Sequence, residues 1–247
     1  MINKATVKYI QSLQHKKFRD DHCAFIAEGP KPVSELLADG NFECSDIFCT
    51  EQGMELLKGK PAEKFTGKIN IIEDFELEKI SALATPNNML AIFKKKRVND
   101  RPDLRQKLSL VLDDIQDPGN LGTIIRIADW FGVQNIFCSA ATADCYNPKV
   151  VQSTMASLGR VNILYGDIKM VLEAHEGIKK YAAVLGAEDI KTIGKIQEGM
   201  LIIGNESKGI SAELLELADK KISIEKTGDA ESLNAAVATG IILFAVK

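Results

Sequence analysis

The chain has 247 residues, 45% hydrophobic and 26% charged, with 31 basic against 34 acidic side chains, an ordinary globular composition with enough chain for a sizeable core. No apolar run approaches the ~20 residues of a membrane span, and Met1-Ile2-Asn3-Lys4 leads into no apolar signal segment, which predicts a cytoplasmic address. Five cysteines (Cys23, Cys44, Cys49, Cys138, Cys145) form no C-x-x-C pair, against a disulfide framework or a structural zinc site.

The first 19 residues carry Lys4, Lys8, Lys16, Lys17 and Arg19 and no acid. Such a block can neutralise phosphates, although the net charge of −3 does not favour a nucleic-acid partner. Within it, Val7, Ile10 and Leu13 have helical spacing. Residues 32–38 read as a helix with a proline in its first turn and Gly40 at its end. Residues 46–50, 69–72 and 89–93 are short β-type runs, and 75–83 looks helical. Together these predict a small α/β domain over residues 1–97. Residues 98–107 read as a charged, proline-broken linker. Window 94–107 is the second basic block, with seven basic residues (Lys94, Lys95, Lys96, Arg97, Arg101, Arg105, Lys107) against two acidic ones.

From 108 the alternation becomes regular. Strands are predicted at 108–112, 135–138, 161–164, 181–185, 200–203 and 221–224. Helices are predicted at 121–131, 148–158, 168–177, 212–218 and 233–244. This pattern implies a parallel sheet covered on both faces, with ligands outside the carboxyl ends of the strands.

Three strand-end loops stand out. Asp113–Gly122 holds Gly119 and Gly122, which permit close backbone approach, and Asn120, suited to a cap or a ligand-binding amide. On the helix that follows, Thr123, Arg126 and Trp130 share a face opposite the apolar stripe, and an arginine there suits a phosphate. Gly204–Ser211 nearly spells a phosphate loop, but Ile210 stands where the lysine must be, which excludes an NTPase of that type. The third loop, after the strand 221–224, leads into a helix rich in small residues (Ala235, Ala236, Ala238, Gly240), with Ser232 as its predicted cap. A dinucleotide G-x-G-x-x-G is absent, against a doubly wound nucleotide enzyme. His15, His22 and His175 are too scattered for a metal site, and no metal is expected.

Together the loops resemble the three motifs of the SpoU (SPOUT-class) RNA 2′-O-ribose methyltransferases. The matches are Asp117-Pro118-Gly119-Asn120-Leu121-Gly122-Thr123-Ile124-Ile125-Arg126, then Ile203-Gly204-Asn205-Glu206-Ser207-Lys208-Gly209-Ile210-Ser211, then Ile224 with Glu231-Ser232-Leu233-Asn234-Ala235-Ala236-Val237-Ala238. Residues 1–100 resemble the family's ribosomal-protein-like RNA-binding domain through Lys16-Lys17-Phe18-Arg19, Phe25-Ile26-Ala27-Glu28-Gly29 and Thr85-Pro86-Asn87-Asn88-Met89-Leu90-Ala91. The resemblance implies an α/β methyltransferase domain over 108–247 with a trefoil knot, and a homodimer formed through it. It implies S-adenosyl-L-methionine as cofactor, held near Gly204, Ile224, Leu233 and Asn234, with Asn120 and Arg126 as catalytic residues. It also implies an RNA partner, with ribosomal RNA favoured over transfer RNA, and no membrane. One departure is Ile224-Glu225-Lys226 where the family usually has isoleucine–proline–methionine; the missing proline removes a fixed φ.

The implied reaction moves a methyl group to a ribose 2′-hydroxyl, which mainly requires alignment. A guanidinium with pKa above about 12 is a poor proton acceptor. Arg126 is therefore read as gripping a phosphate, while Asn120 orients the ribose or Arg126. Glu206, Ser232 and Asn234 rank second. With one Trp and four Tyr, no base-stacking platform is expected. The alternative reading is a catalytically silent RNA-binding or ribosome-assembly protein on the same fold.

Overall fold

Short apolar runs become the strands of two separate sheets, each belonging to its own compact unit. The computed structural model describes residues 1–57, 65, 68–96 and 102–247. The first unit comprises Met1–Arg97 together with Asp144–Arg160, and the second comprises Val98–Ala143 and Val161–Lys247.

In the first unit the chain runs α1 (Lys4–Ser12), α2 (Lys16–Asp21), β1 (Ala24–Glu28), α3 (Pro30–Asp39), β2 (Cys44–Cys49), α4 (Glu51–Leu57), β3 (Lys68–Ile71), α5 (Asp74–Ile80) and β4 (Met89–Lys94). The strand order is β1-β4-β2-β3. Strand β4 is antiparallel to both β1 and β2, and β2 is parallel to β3. Ile10 and Leu13 pack with Ile26, Phe48, Leu77, Ile80, Leu90 and Ile92 in one core cluster. Helix α3 ends at Gly40, whose φ of 68° places it in the left-handed region where glycine carries no Cβ penalty. Burial pushes the thiol of Cys44 up to about 12 and raises that of Cys49, which disfavours the thiolate at both, and none of the five cysteines is in a disulfide.

Two sequence expectations are corrected here. Residues 148–158, read as a helix of the second domain, belong to the first unit. The helix α7 spans only Pro148–Thr154, because Met155 and Ala156 turn the backbone left-handed (φ 47° and 68°) before a 3-10 turn at Ser157–Gly159. The segment is held by Tyr146, whose ring lies 4.9 Å from Phe25 and 6.4 Å from Phe42, and by Asp144. That carboxylate accepts hydrogen bonds from Arg19 Nε at 3.0 Å and Nη2 at 2.6 Å. The second correction is Arg19 itself. It belongs to the basic block, yet it is 1% exposed, and its Nη1 donates to the carbonyls of Leu13 (3.0 Å) and Gln14 (2.8 Å). A charge so fully paired holds structure rather than binding a ligand.

The second unit contains β5 (Leu108–Leu112), α6 (Pro118–Trp130), β6 (Asn135–Cys138), β7 (Asn162–Tyr165), α8 (Ile168–Ala174), β8 (Lys180–Asp189), β9 (Gly199–Ile203), α9 (Ala212–Glu216), β10 (Lys220–Ser223) and α10 (Ala235–Val246). All six strands are parallel, in the order β10-β8-β9-β5-β6-β7. The chain starts at β5, winds outward through β6 and β7, then returns to fill the other side. The order therefore switches between β5 and β9, the place where ligands bind in such sheets. Strands β5 and β9 are buried at every residue, as expected for parallel strands covered on both faces. Lys180, buried in the sheet, donates its Nζ to the carbonyls of His175, Glu176 and Ile178 just beyond α8.

The expected linker 98–107 is not free chain throughout. Residues 97–101 lie outside the described residues. Leu104, 3% exposed, joins the core of the second unit, the backbone N–H of Gln106 donates to Glu198, and Gly199 N donates to Lys107 O. Among the described residues of that stretch, Leu104 is an apolar anchor hidden by the surrounding charge. No helix among the described residues is long and apolar enough to cross a membrane.

Candidate active site at the strand ends of the second unit

The loop after β5 begins with two aspartates that fasten the loop after β9. Asp113 Oδ2 accepts from Ser211 N at 2.8 Å, and the Asp114 carbonyl accepts from Asn205 Nδ2 at 2.8 Å. Asp114 has a φ of 57° and is itself fixed by Ser139, whose Oγ donates to its Oδ1 at 2.7 Å. Within the β9 loop, Asn205 and Gly209 exchange backbone hydrogen bonds of 3.0 and 2.9 Å. Asn205 Oδ1 also accepts from Ser207 N and Lys208 N. A side chain cannot exist at Gly204: its Cβ would lie 2.3–2.5 Å from backbone atoms of Gly209 and Ile210. The glycine is required by close backbone approach.

Helix α6 starts with Pro118 after the N-cap Asp117, whose side chain accepts from Asn120 N at 2.8 Å. Asn120 is therefore a first-turn residue and not the cap. Its amide joins the three loops. Nδ2 donates to Glu206 Oε1 at 2.6 Å, and Oδ1 accepts from Asn234 Nδ2 at 2.8 Å. Asn234 Oδ1 in turn accepts from Ala236 N and Val237 N, capping α10. The cap expected at Ser232 is thus two residues further on, and α10 starts after it. Every group in this chain has a fixed direction. The helix N–H groups require an oxygen on Asn234, so its NH2 faces Asn120, so the NH2 of Asn120 faces a carboxylate that only accepts when ionised. One Asn120 N–H is left for another acceptor.

Thr123, Arg126 and Trp130 all face solvent on α6, as their spacing predicts, with Trp130 85% exposed. Arg126 pairs with no carboxylate among the described residues. Around the corner, α10 exposes Val237, Ile241 and Phe244, the last 77% exposed. The small residues of α10 suggest close backbone packing, but at Gly240 a Cβ would meet only Ile127 Cδ1, at an ordinary 3.5 Å.

A second feature opens between the ends of β8 and β10. Their register jumps from Lys221 opposite Ala182 to Ile222 opposite Glu188, so residues 183–187 loop out of the sheet, helped by Gly186 at φ 71°. The resulting hollow, about 270 Å³, is lined by Gly186, Ala187 and Asp189 on one side and by Ser223 to Lys226 on the other. Across its rim Lys191 Nζ meets Glu225 Oε2 at 2.7 Å, which raises the pKa of the Lys191 ammonium. Glu225 stands where the resemblance leads one to expect proline, and its charge is answered by this lysine. The hollow suits an adenosyl group: Ile224 and Ala187 offer apolar walls, Gly186 lets backbone approach, and Asp189 and Glu225 offer acceptors for hydroxyls. At this volume it holds part of such a ligand rather than all of it.

Among the expected site residues, Asn120 and Asn234 are joined directly, Gly204 belongs to the loop that presents Glu206, and Ile224 lines the hollow. Leu233 is an exposed residue beside Asn234. Sequence reasoning gave no role to Asp113, Asp114, Asn205, Gly186 or Ala187. The signal for the first three was polar residues at the ends of buried strands. For Gly186 it was a glycine just past the apolar run 181–185. Among the described residues no group of His, Cys, Asp and Glu is placed to hold a metal.

A fully parallel sheet with side chains from three strand-end loops meeting at its switch point defines a cofactor-binding α/β domain. The chain belongs to the SpoU rRNA methylase family, which it matches over residues 107–244, and residues 4–91 match the MRM3-like substrate binding domain. It is 28% identical to the 23S rRNA (guanosine(2553)-2′-O)-methyltransferase RlmP of Bacillus subtilis, over 98% of this chain and 95% of that protein. Among solved structures it is similar to an AdoMet-bound rRNA methyltransferase from Sinorhizobium meliloti (TM-score 0.85, 29% identity, 99% of this chain and 95% of that one). It is also similar to the SpoU methyltransferase AviRb from Streptomyces viridochromogenes in complex with AdoMet (TM-score 0.86, 25% identity, 98% and 97%).

Proposed function

We propose that this chain is an S-adenosyl-L-methionine-dependent RNA methyltransferase that methylates a ribose 2′-hydroxyl in ribosomal RNA. Relatives that span nearly the whole chain include rRNA methyltransferases, which favours rRNA over tRNA and leaves the catalytically silent alternative without support. Among them the bacterial ones favour a cytoplasmic site of action. The observation that carries the reading is the Glu206–Asn120–Asn234 chain, in which one amide joins all three motif loops at the switch point.

When bound, the cofactor supplies a methyl group on a positively charged sulfur, a reactive donor that needs alignment more than activation. Ser223 to Lys226 and Gly186–Ala187 would hold its adenosyl part, with Gly204 and Leu233 contributing backbone groups. Asn120, fixed at both ends, offers its remaining N–H to the ribose. Arg126, exposed and without a carboxylate partner among the described residues, grips the phosphate beside the target sugar through its planar fork; phosphate or water takes the hydroxyl proton. The return of the chain after β10 to loops already fastened to β5 supports a knotted topology. The apolar strip of Trp130, Val237, Ile241 and Phe244 supports a homodimer through the C-terminal domain, because four such side chains in water are an unsatisfied surface.

Single-turnover methylation by Arg126→Lys tests the role of the fork. A loss of at least about tenfold in rate is expected from giving up a bidentate contact. A rate within twofold of the parent would remove Arg126 from the mechanism.

A further inference from the structure

The basic block of the first unit separates into charges that are used and charges that are offered. Arg19 is buried against Asp144, Leu13 and Gln14, and Lys16 pairs with Asp20 at 2.7 Å. Lys17 pairs with no carboxylate among the described residues; its Nζ stands 5.9 Å from the centroid of the Phe18 ring. Phe18 is 38% exposed. The His15 ring, also exposed, approaches it edge-on at 6.4 Å.

The placement is specific. Helix α2 has six residues, too short to be stable by itself. Arg19 clamps it to the preceding turn and to the segment at Asp144, so the neighbouring ring is carried on a fixed support. A phenylalanine held outward in this way costs free energy unless something covers it. One ring beside a single free ammonium is too small for a protein interface and has the wrong charge setting for an apolar one. It has the combination that binds single-stranded nucleic acid: a π-face of the size of a base, with the Lys17 ammonium 5.9 Å from the ring centroid.

We propose that Phe18 is a stacking face for one unpaired base of the RNA substrate, with Lys17 contacting the adjoining phosphate. This rests on the RNA reading above and names where the first unit takes hold of the strand. Counting Trp and Tyr argues against such a platform; a single clamped phenylalanine provides the face without either residue type.

The test is fluorescence anisotropy of the full chain with an oligouridine of about 12 nucleotides and with an RNA backbone of equal length whose sites are abasic. Phe18→Ala should weaken oligouridine binding about tenfold and leave abasic binding unchanged, while Phe18→Trp retains or tightens it. Lys17→Met should weaken both oligomers and lower the salt slope by about 0.7. Calorimetric binding of S-adenosyl-L-methionine by each variant should match the parent, showing the fold intact. Equal losses on both oligomers, or no loss on oligouridine, would overturn the stacking role while leaving the methyltransferase reading standing. Failure of the parent to bind either oligomer would overturn the RNA reading of this unit and the platform with it.

Discussion

The Asn234→Asp substitution separates capping from orientation within one residue. The new side chain has the same size, and its oxygen still accepts from Ala236 N and Val237 N, at 2.9 and 3.2 Å in the parent. A carboxylate at a helix N-terminus also gains about 0.3–1 kcal/mol from the helix dipole. The cap itself therefore contributes no loss, and any destabilisation comes from the contact with Asn120. The donor to Asn120 is lost, however. An acceptor now faces Asn120 Oδ1 across the 2.8 Å contact, and rotating the Asn120 amide only moves the conflict to Glu206. Losing one hydrogen bond and gaining a repulsion amounts to about 2–3 kcal/mol, so kcat/KM should fall about 30- to 150-fold. Denaturant unfolding and single-turnover methylation measure the two effects separately. The loss should shrink as pH falls towards the carboxyl range, because the protonated acid can donate again. Methylation within twofold of the parent at neutral pH would refute the directional chain of amides.

Gly204→Ala should be far more disruptive. A Cβ at 2.3 Å from Gly209 C forces the hairpin apart, at a cost of about 3–5 kcal/mol from overpacking and two weakened backbone bonds; thermal unfolding and calorimetric cofactor binding would both register it. Asp144→Asn leaves the Arg19 guanidinium buried with its charge unanswered, and urea unfolding should show the first unit weakened by about 3 kcal/mol. Glu28 accepts from Ser81 Oγ and Ala82 N, yet burial raises its pKa above the ordinary 4.5. Its folded-state proton affinity is the higher one, so the stability tied to that proton is complete below 4.5 and lost as pH rises through the folded value. Glu28→Gln should accordingly gain on the parent as pH goes from 4 to 7, measured by chemical denaturation; a pH-independent difference would contradict it.

β5, β6 and β9 were legible because each is a parallel strand buried at every residue, a short and mostly apolar run. β5 and β6 fall on the residues that pattern gives, and β9 and β10 lie within one residue of it. What the pattern could not carry was partnership. Arg19 reads as surface charge until Asp144 appears beside it from 125 positions away. The helix at Pro148–Thr154 reads as the next step of a regular alternation, yet it belongs to the first unit and packs on β1. Leu104 hides in a charged stretch. In the site, the glycines and asparagines stand out as residue types, but the order in which Asn234, Asn120 and Glu206 hand hydrogen bonds to one another is set by three dimensions. The hollow beside Ile224 depends on a five-residue excursion in β8 that no local signal except Gly186 marks.

The most direct measurement is the position of the methyl group after incubating the full chain with methyl-labelled S-adenosyl-L-methionine and ribosomal RNA, digesting to nucleosides and resolving them by mass spectrometry. The account predicts label on a ribose 2′-oxygen, lost with Gly204→Ala. Label on a base, or none with active parent protein and unmodified RNA, would contradict it.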